Sequence, residues 1–222
     1  MRKVFQLELQ QVREDLSGMA HLVASAMERA AQAVQQVDLS LAQDVIEADA
    51  LIDARQNELD EKCIDLLARQ GPVAGDLRMI VGAMRMSASL ERMGDLARHV
   101  AQLTRLRYPA TVIPEPARPV FDHMAVLDLK VVRLLAELLE TQNLEVTERM
   151  LEVNAQVNEL HATVFRCIAD GSWTDSPSVA VDLALASRYF ERFADHALSV
   201  AGKVGYLVTG TWQESLDDVT HA

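Results

Sequence analysis

The sequence predicts an all-α fold of two tandem three-helix bundles, each built from the same internal repeat. Apolar residues recur at spacings of three and four over most of the 222 residues, which is the pattern of a helix face. Half of the residues are hydrophobic, whereas only 5% are aromatic and nine are glycine, a composition that favours helices over sheets. A proline-rich segment near the middle separates two parts with matching helical patterns.

The first part carries three predicted helices. The first covers about 4–37 and the second about 40–69. Gln70-Gly71-Pro72 ends the second helix and allows the next one to begin at once, since glycine suits a helix end and proline a helix start. The third helix then runs from about 73 to 107, with a core stripe that includes Leu90, Met93, Ala97, Val100 and Ala101.

Proline marks the joint between the two parts. Four of the six prolines, Pro109, Pro114, Pro116 and Pro119, lie within eleven residues. Neither a helix interior nor a central strand accepts that density, so we predict a stiff connector over 109–119.

The second part repeats the scheme of the first. We predict a fourth helix through Phe121–Leu138, a fifth through Leu151–Ile168 and a sixth over about 179–208. The predicted domains are therefore a first repeat over 1–108, the connector over 109–119, a second repeat over 120–209 and a tail over 210–222.

The repeat is also visible in residue identities. A shift of 100 aligns the third helix with the sixth and gives seven identities in fifteen positions without a gap. They are Ser87, Glu91, Arg92, Asp95, Ala97, Val100 and Ala101 on Ser187, Glu191, Arg192, Asp195, Ala197, Val200 and Ala201. Such a match indicates duplication of one three-helix unit, and we expect the two bundles to meet near the connector.

Charge and composition exclude several classes of function. The formal net charge of −12 argues against nucleic acid and against an anionic membrane surface as main partners. The first residues reach Glu8 before any apolar stretch, and no uncharged run approaches the about 18 residues that span a bilayer. We expect a cytoplasmic protein in which Cys63 and Cys167 are thiols.

Two acidic pairs stand out, Glu91 with Asp95 and Glu191 with Asp195. Each pair has spacing i,i+4, so its carboxylates share one helix face and repel each other by a few tenths of a kcal/mol. In both helices the pair points away from the core stripe, so we expect it on the outer face. Two explanations stay open: a bound cation, or a solvated charged face on which Arg92 and Arg192 are the partners.

The second helix adds Asp49 and Asp53 with the same spacing, whereas the fifth offers only Asn154 and Asn158. A set of oxygen ligands suits Mg²⁺, Mn²⁺ or Fe³⁺. We therefore expect tighter metal binding in the first repeat. Without metal, replacing Asp95 by Asn is expected to be neutral or slightly stabilising, because it removes a repulsion.

The third helix also carries a second apolar strip, opposite its core stripe, formed by Leu77, Val81, Met84 and Ala88. We predict that this strip is a contact surface, covered by the other bundle, a second copy of the chain or another protein. No phosphate-binding glycine loop and no nucleophile motif accompanies these features, so the sequence does not predict an enzyme.

The duplicated unit and its motifs resemble the PhoU family. The motifs are Pro72-Val73-Ala74-Gly75-Asp76-Leu77-Arg78, Glu91-Arg92-Met93-Gly94-Asp95, Glu191-Arg192-Phe193-Ala194-Asp195 and the Asp49/Asp53 pair, and the similarity covers nearly all of 4–208. The resemblance implies a cytoplasmic, homodimeric regulator at the inner face of the membrane. It would join the phosphate ABC transporter ATPase to a sensor histidine kinase and repress the phosphate-starvation response when phosphate is plentiful.

The same resemblance implies metal ligands at Glu91, Asp95, Glu191 and Asp195, with Asp49 and Asp53 as helpers. Two other classes stay open beside the regulator. One is a helical metal-binding or storage protein without a signalling partner, and the other is a metal-dependent hydrolase, which would need a general base that the sequence does not reveal.

Overall fold

The structure, a computed structural model, describes residues 2–174 and 176–211. Within these ranges the chain forms six α-helices and no strand, which confirms the predicted all-α fold. None of these six helices is both long enough and apolar enough to cross a bilayer. The helices are α1 (Arg2–Gln36), α2 (Leu39–Gln70), α3 (Ala74–Arg107), α4 (Arg118–Thr141), α5 (Glu145–Ala169) and α6 (Pro177–Thr209), with a 3₁₀ turn at Glu115–Ala117. Most of the predicted tail, from residue 212, lies outside the described residues.

The helix ends follow local chemistry. Asp38 caps α2, since its side chain accepts a hydrogen bond of 3.0 Å from the backbone N–H of Leu41. Gly71 ends the same helix in the left-handed region, with φ of 53°. Pro119 and Pro177 lie in the first turns of α4 and α6. Backbone N–H groups there have no acceptor within the helix, so the missing N–H of proline costs no hydrogen bond.

The helices α1–α3 form one bundle and α4–α6 the other, and the two lie side by side. Antiparallel contacts join α1 to α4, from Ser17 with Glu140 at 3.0 Å to Gln35 with Asp122 at 2.8 Å. The buried apolar residues of both bundles form one continuous core. The bundles therefore do not meet only near the connector, as the sequence led us to expect: α1 packs on α4 and α3 packs on α6, and the two cores are merged.

The seam between α3 and α6 shows the internal duplication directly. At one end Arg107 donates two hydrogen bonds, of 2.6 and 2.9 Å, to Asp182. At the other end Gly82 lies against Leu207, so close that a Cβ on Gly82 would be 3.2 Å from Leu207 Cδ2. A shift of 100 relates positions 82 and 182, and 107 and 207. The two ends of the seam are therefore equivalent in the repeat, but the contact is charged between Arg107 and Asp182 and apolar between Gly82 and Leu207.

Candidate functional site

The acidic residues of the two repeats form two groups. The α2/α3 acidic site comprises Asp49, Asp53, Glu91 and Asp95. The α4/α6 acidic site comprises Glu191, Asp195 and a third carboxylate, Asp128 of α4. The structure therefore brings the predicted residues together within each repeat and adds one that the sequence analysis missed.

Gly94 allows α2 to approach α3 at the α2/α3 acidic site. A Cβ at this glycine would lie 2.9 Å from Ile52 Cδ1 and 3.4 Å from Asp49 Oδ1. Contacts this short require the absence of a side chain. Asp49 is consequently held against the turn of α3 that separates Glu91 from Asp95.

A guanidinium already occupies the centre of the α2/α3 acidic site. Arg98 Nε lies 2.6 Å from Asp49 Oδ2, and Arg98 Nη2 contacts Asp95 Oδ1. Arg92 Nη1 lies 2.8 Å from the other oxygen of Asp95. One arginine thus bridges the carboxylates of two helices, and a second arginine completes the coordination of Asp95.

These contacts set the ionisation of the α2/α3 acidic site. Burial would raise the pKa of Asp95, but the hydrogen bonds and charges of Arg98 and Arg92 outweigh it and lower that pKa. Burial dominates at Asp49 and raises its pKa in spite of Arg98. The pKa of Glu91 is raised by burial and then by the charge of Asp95. Asp95 is therefore the member that is best stabilised as an anion.

The α4/α6 acidic site has a different interior. Asp128 is fully buried, and neither of its carboxylate oxygens has a hydrogen-bond partner within the described residues. Burial, followed by the charges of Asp195 and Glu191, raises the pKa of Asp128 well above its ordinary value. Burial and the charge of Glu191 raise the pKa of Asp195 to about 6. Ionisation of Asp128 and of Asp195 is therefore less favourable here than that of a solvent-exposed Asp.

Within the described part of the chain, the arginines that compensate the α4/α6 acidic site lie at its rim. Arg188 Nη1 donates to both oxygens of Glu191 at 2.8 Å, and Arg192 Nη1 is 3.6 Å from Asp195. Inside, Asn154 Nδ2 is 3.5 Å from Asp195 Oδ1, and Asn154 Oδ1 is buried without a partner among the described residues. The carboxylates therefore lack an internal cation equivalent to Arg98.

The expectation that both pairs lie on an outer face is wrong for the second repeat. Glu191 is 8% exposed and Asp195 only 6%. The reason is the packing of α6 against α4 and α5, because Asn154 of α5 lies 3.5 Å from Asp195 and the charges of both acids act on the buried Asp128 of α4. A helical wheel of one helix does not contain that information.

The donor chemistry fits a hard cation better in one site than in the other. No three Asp, Glu, His or Cys side chains in residues 2–174 and 176–211 are gathered around one point as a metal site requires. In the α2/α3 acidic site a metal ion would have to displace Arg98 from Asp49 and Asp95. In the α4/α6 acidic site the oxygens of Asp128 and Asn154 that lack a partner among the described residues are ligands of the type that Mg²⁺ and Mn²⁺ prefer.

The predicted contact strip on α3 is partly at the surface. Leu77 and Val81 are each 40% exposed and Ala88 is also exposed, whereas Met84 is half-buried against the core. The part of the strip that is available to another molecule therefore lies toward the start of α3.

Comparison with known proteins places both repeats in one family. A family model described as the PhoU domain matches residues 16–104 and again residues 121–204. The phosphate-specific transport system accessory protein PhoU homolog 1 of Mycobacterium leprae is 39% identical over 214 residues, which is 96% of this chain and 96% of that protein. Homolog 2 of Mycobacterium tuberculosis is 38% identical over 212 residues, 96% of this chain and 100% of that protein. The crystal structure of PhoU from Pseudomonas aeruginosa has a TM-score of 0.86 at 30% identity, covering 93% of this chain and 100% of that one.

Proposed function

The chain belongs to the PhoU family, as its motifs indicated, and from this premise we propose that it is an accessory protein that regulates phosphate uptake by binding. In this proposal it links the phosphate ABC transporter ATPase to a sensor histidine kinase and represses the phosphate-starvation response when phosphate is plentiful. The observation that carries the proposal is the match of both repeats, in order, to relatives named for the phosphate-specific transport system.

The chemistry of the acidic sites supports action by binding. Two of the carboxylates are poorly placed to act as general bases, because Asp95 is paired with Arg98 and Asp128 is buried deep in a bundle. General acid–base catalysis needs a group within reach of a substrate. Fixed charges and long antiparallel seams instead suit a rigid adaptor.

The exposed start of α3 is the proposed contact surface, through Leu77, Val81 and Ala88 with the edge of Met84. Exposed apolar side chains at adjacent turns of one helix are typical of helix-mediated recognition. The proposed partners are the transporter ATPase and the kinase, and the proposed assembly is a homodimer. Light scattering of the purified chain measures the molar mass and so tests the proposed homodimer independently.

Affinity capture from phosphate-replete cells tests the regulatory proposal. The wild type should retain the transporter ATPase and the kinase, and Leu77→Asp with Val81→Asp should weaken that capture. The matched control is Val181→Asp with Leu185→Asp, since these residues of α6 are 56% and 40% exposed at the opposite end of the same seam. If both variants capture the partners equally well, the strip is not the contact surface. If the wild type captures neither partner, the proposed adaptor function is wrong.

A second candidate, a metal-binding or storage protein without a signalling partner, is favoured by one observation. Asp128 keeps a buried carboxylate with no partner among the described residues, beside Glu191 and Asp195. A bound Mg²⁺, Mn²⁺ or Fe³⁺ would supply the missing positive charge there. Elemental analysis of the purified protein, with capture experiments in parallel, separates the two candidates: stoichiometric metal without any captured partner favours storage.

A further inference from the structure

A shallow groove of about 300 Å³ lies between the start of α3 and the end of α6. We call it the α3/α6 groove. Its floor is apolar, because Gly82 lets Leu207 pack directly against the backbone of α3. Its walls are formed by Leu77, Arg78, Val81, Arg85, Lys203 and Tyr206.

The charge of the α3/α6 groove is opposite to that of the whole chain. Among the described residues, three cations and no carboxylate line it, although the formal net charge of the chain is −12. Within residues 2–174 and 176–211, the guanidinium groups of Arg78 and Arg85 form no ion pair. Other arginines of α3 and α6, such as Arg98 and Arg188, are paired with acids. The groove therefore attracts an acidic, partly apolar occupant.

The chain itself contains a segment of that chemistry. Residues 212–222 read Trp-Gln-Glu-Ser-Leu-Asp-Asp-Val-Thr-His-Ala and include three acids and no Lys or Arg. The apolar residues Trp212, Leu216 and Val219 are spaced by four and three, the spacing of a helix-in-groove ligand. The acids are Glu214, Asp217 and Asp218.

Connectivity brings this segment to the groove. Tyr206 lines the groove, and α6 ends three residues later at Thr209. Gly210 has a φ of 77°, a left-handed helix end at which the chain can reverse direction. The turns of α3 from Leu77 to Arg85 span about 12 Å, a length that a segment of eight residues can cover even in a helical conformation. A tether this short gives an effective concentration on the order of mM.

We propose that residues 212–219 bind intramolecularly in the α3/α6 groove. Trp212 and Leu216 cover Leu77 and Val81, and the three acids pair with Arg78, Arg85 and Lys203. This inference does not depend on the proposed function. It does imply that the segment and any partner of the α3 strip compete for the same surface.

Tryptophan fluorescence of the full chain tests the proposal. The sequence has two tryptophans, so Trp173→Phe leaves Trp212 as the reporter. Relative to a synthetic peptide of residues 211–222, the Trp212 emission should be shifted to the blue and less quenched by acrylamide. High salt should reverse part of the shift, because the ion pairs are at the surface. Emission identical to that of the peptide would overturn the proposal.

Charge-reversed variants locate the binding site. Arg78→Glu with Arg85→Glu should return Trp212 to peptide-like emission, and adding Glu214→Lys with Asp217→Lys should restore the shift. The matched control, Arg105→Glu with Arg133→Glu, changes the net charge equally outside the groove and should leave the emission unchanged. A blue shift that survives in the Arg78/Arg85 variant overturns the groove assignment. A shift that disappears on dilution means that a second copy supplies the segment, which overturns the intramolecular proposal.

Discussion

The α2/α3 and α4/α6 acidic sites contain the same duplicated motif, yet their charges are balanced in different ways. Asp95 is an anion held by Arg98 and Arg92, whereas its counterpart Asp195 has a pKa raised to about 6 by burial and by Glu191. The carboxylates of the motif are alike, but the residue three positions after the second acid is Arg98 in α3 and Leu198 in α6. The neighbouring helices differ as well: α2 contributes Asp49, which shares Arg98, and α4 contributes Asp128, whose oxygens have no hydrogen-bond partner among the described residues. The motif thus sets which carboxylates are present, and the residue at position 98 or 198 together with the neighbouring helix sets how readily they ionise.

Among the variants that test this comparison, removal of Arg98 should change the free energy of unfolding most. Arg98→Ala leaves Asp49 and Asp95 close together in a half-buried site without their shared cation, so we expect a loss of about 3 kcal/mol in the free energy of unfolding at pH 7. Urea denaturation measures it. Arg188→Ala in the second repeat is the matched control and should cost at most about 1 kcal/mol, since that side chain is half exposed. Similar losses for the two variants would contradict the internal role of Arg98.

Asp128→Asn should raise the free energy of unfolding at pH 7, whereas Arg98→Ala lowers it. The pKa of Asp128 is raised above 3.8 in the folded state, so the folded protein loses stability relative to the unfolded chain as the pH rises from about 4 toward that raised pKa. Asn cannot ionise, so we expect the variant to be more stable than the wild type at pH 7, by on the order of 2 kcal/mol. The difference should shrink at pH 4. A variant that is less stable at pH 7 would show that Asp128 has a cationic partner.

Metal binding should distinguish the two acidic sites. We expect Mn²⁺ at tenfold its dissociation constant to stabilise the wild type by about 1.4 kcal/mol, by mass action. Asp195→Asn should lose this gain and Asp95→Asn should keep it, because Arg98 already fills the first site. This order reverses the sequence-based expectation of tighter binding in the first repeat. Thermal melting with and without Mn²⁺ measures this stabilisation. If only Asp95→Asn loses it, metal binds in the first repeat, as the sequence-based expectation had it.

The smallest changes in the free energy of unfolding are expected for Asp95→Asn and Asp195→Asn, and they should have opposite signs. Asp95→Asn removes an anion that Arg92 and Arg98 stabilise, so it should cost about 1 kcal/mol at pH 7 and nothing below the lowered pKa of Asp95. Asp195→Asn should instead stabilise by about 1 kcal/mol at pH 7. The sequence-based expectation of a neutral or stabilising Asp95→Asn considered only the repulsion from Glu91. Equal signs for the two variants in urea denaturation would contradict the comparison.

Much of this architecture could be predicted from the sequence. Periodicity within each helix is a local property, so the six helices and the duplication followed from apolar spacing and the shift of 100. The acidic pairs were recognised for the same reason. Asp128 was overlooked, although a single acid in the stripe of Phe121, Met124 and Val131 is a signal of a buried charge.

The rest depends on contacts between helices. Nothing local shows that Arg98 reaches Asp49 on α2, because that distance is set by the close approach at Gly94. Nor does a helical wheel reveal that the face of α6 with Glu191 and Asp195 packs against α4 and α5. The burial of these two acids follows from that packing, next to Asp128 and Asn154, so it could not be predicted from one helix.

Carboxyl NMR titration of Asp95 and Asp195 in the metal-free wild type tests the central difference most directly. With both residues assigned through their Asn variants, we expect Asp95 to titrate below the ordinary Asp pKa of 3.8 and Asp195 to titrate at about 6. Two carboxyls that titrate together, or an Asp195 that titrates below Asp95, would contradict the conclusion that the two copies of the duplicated motif ionise at different pH.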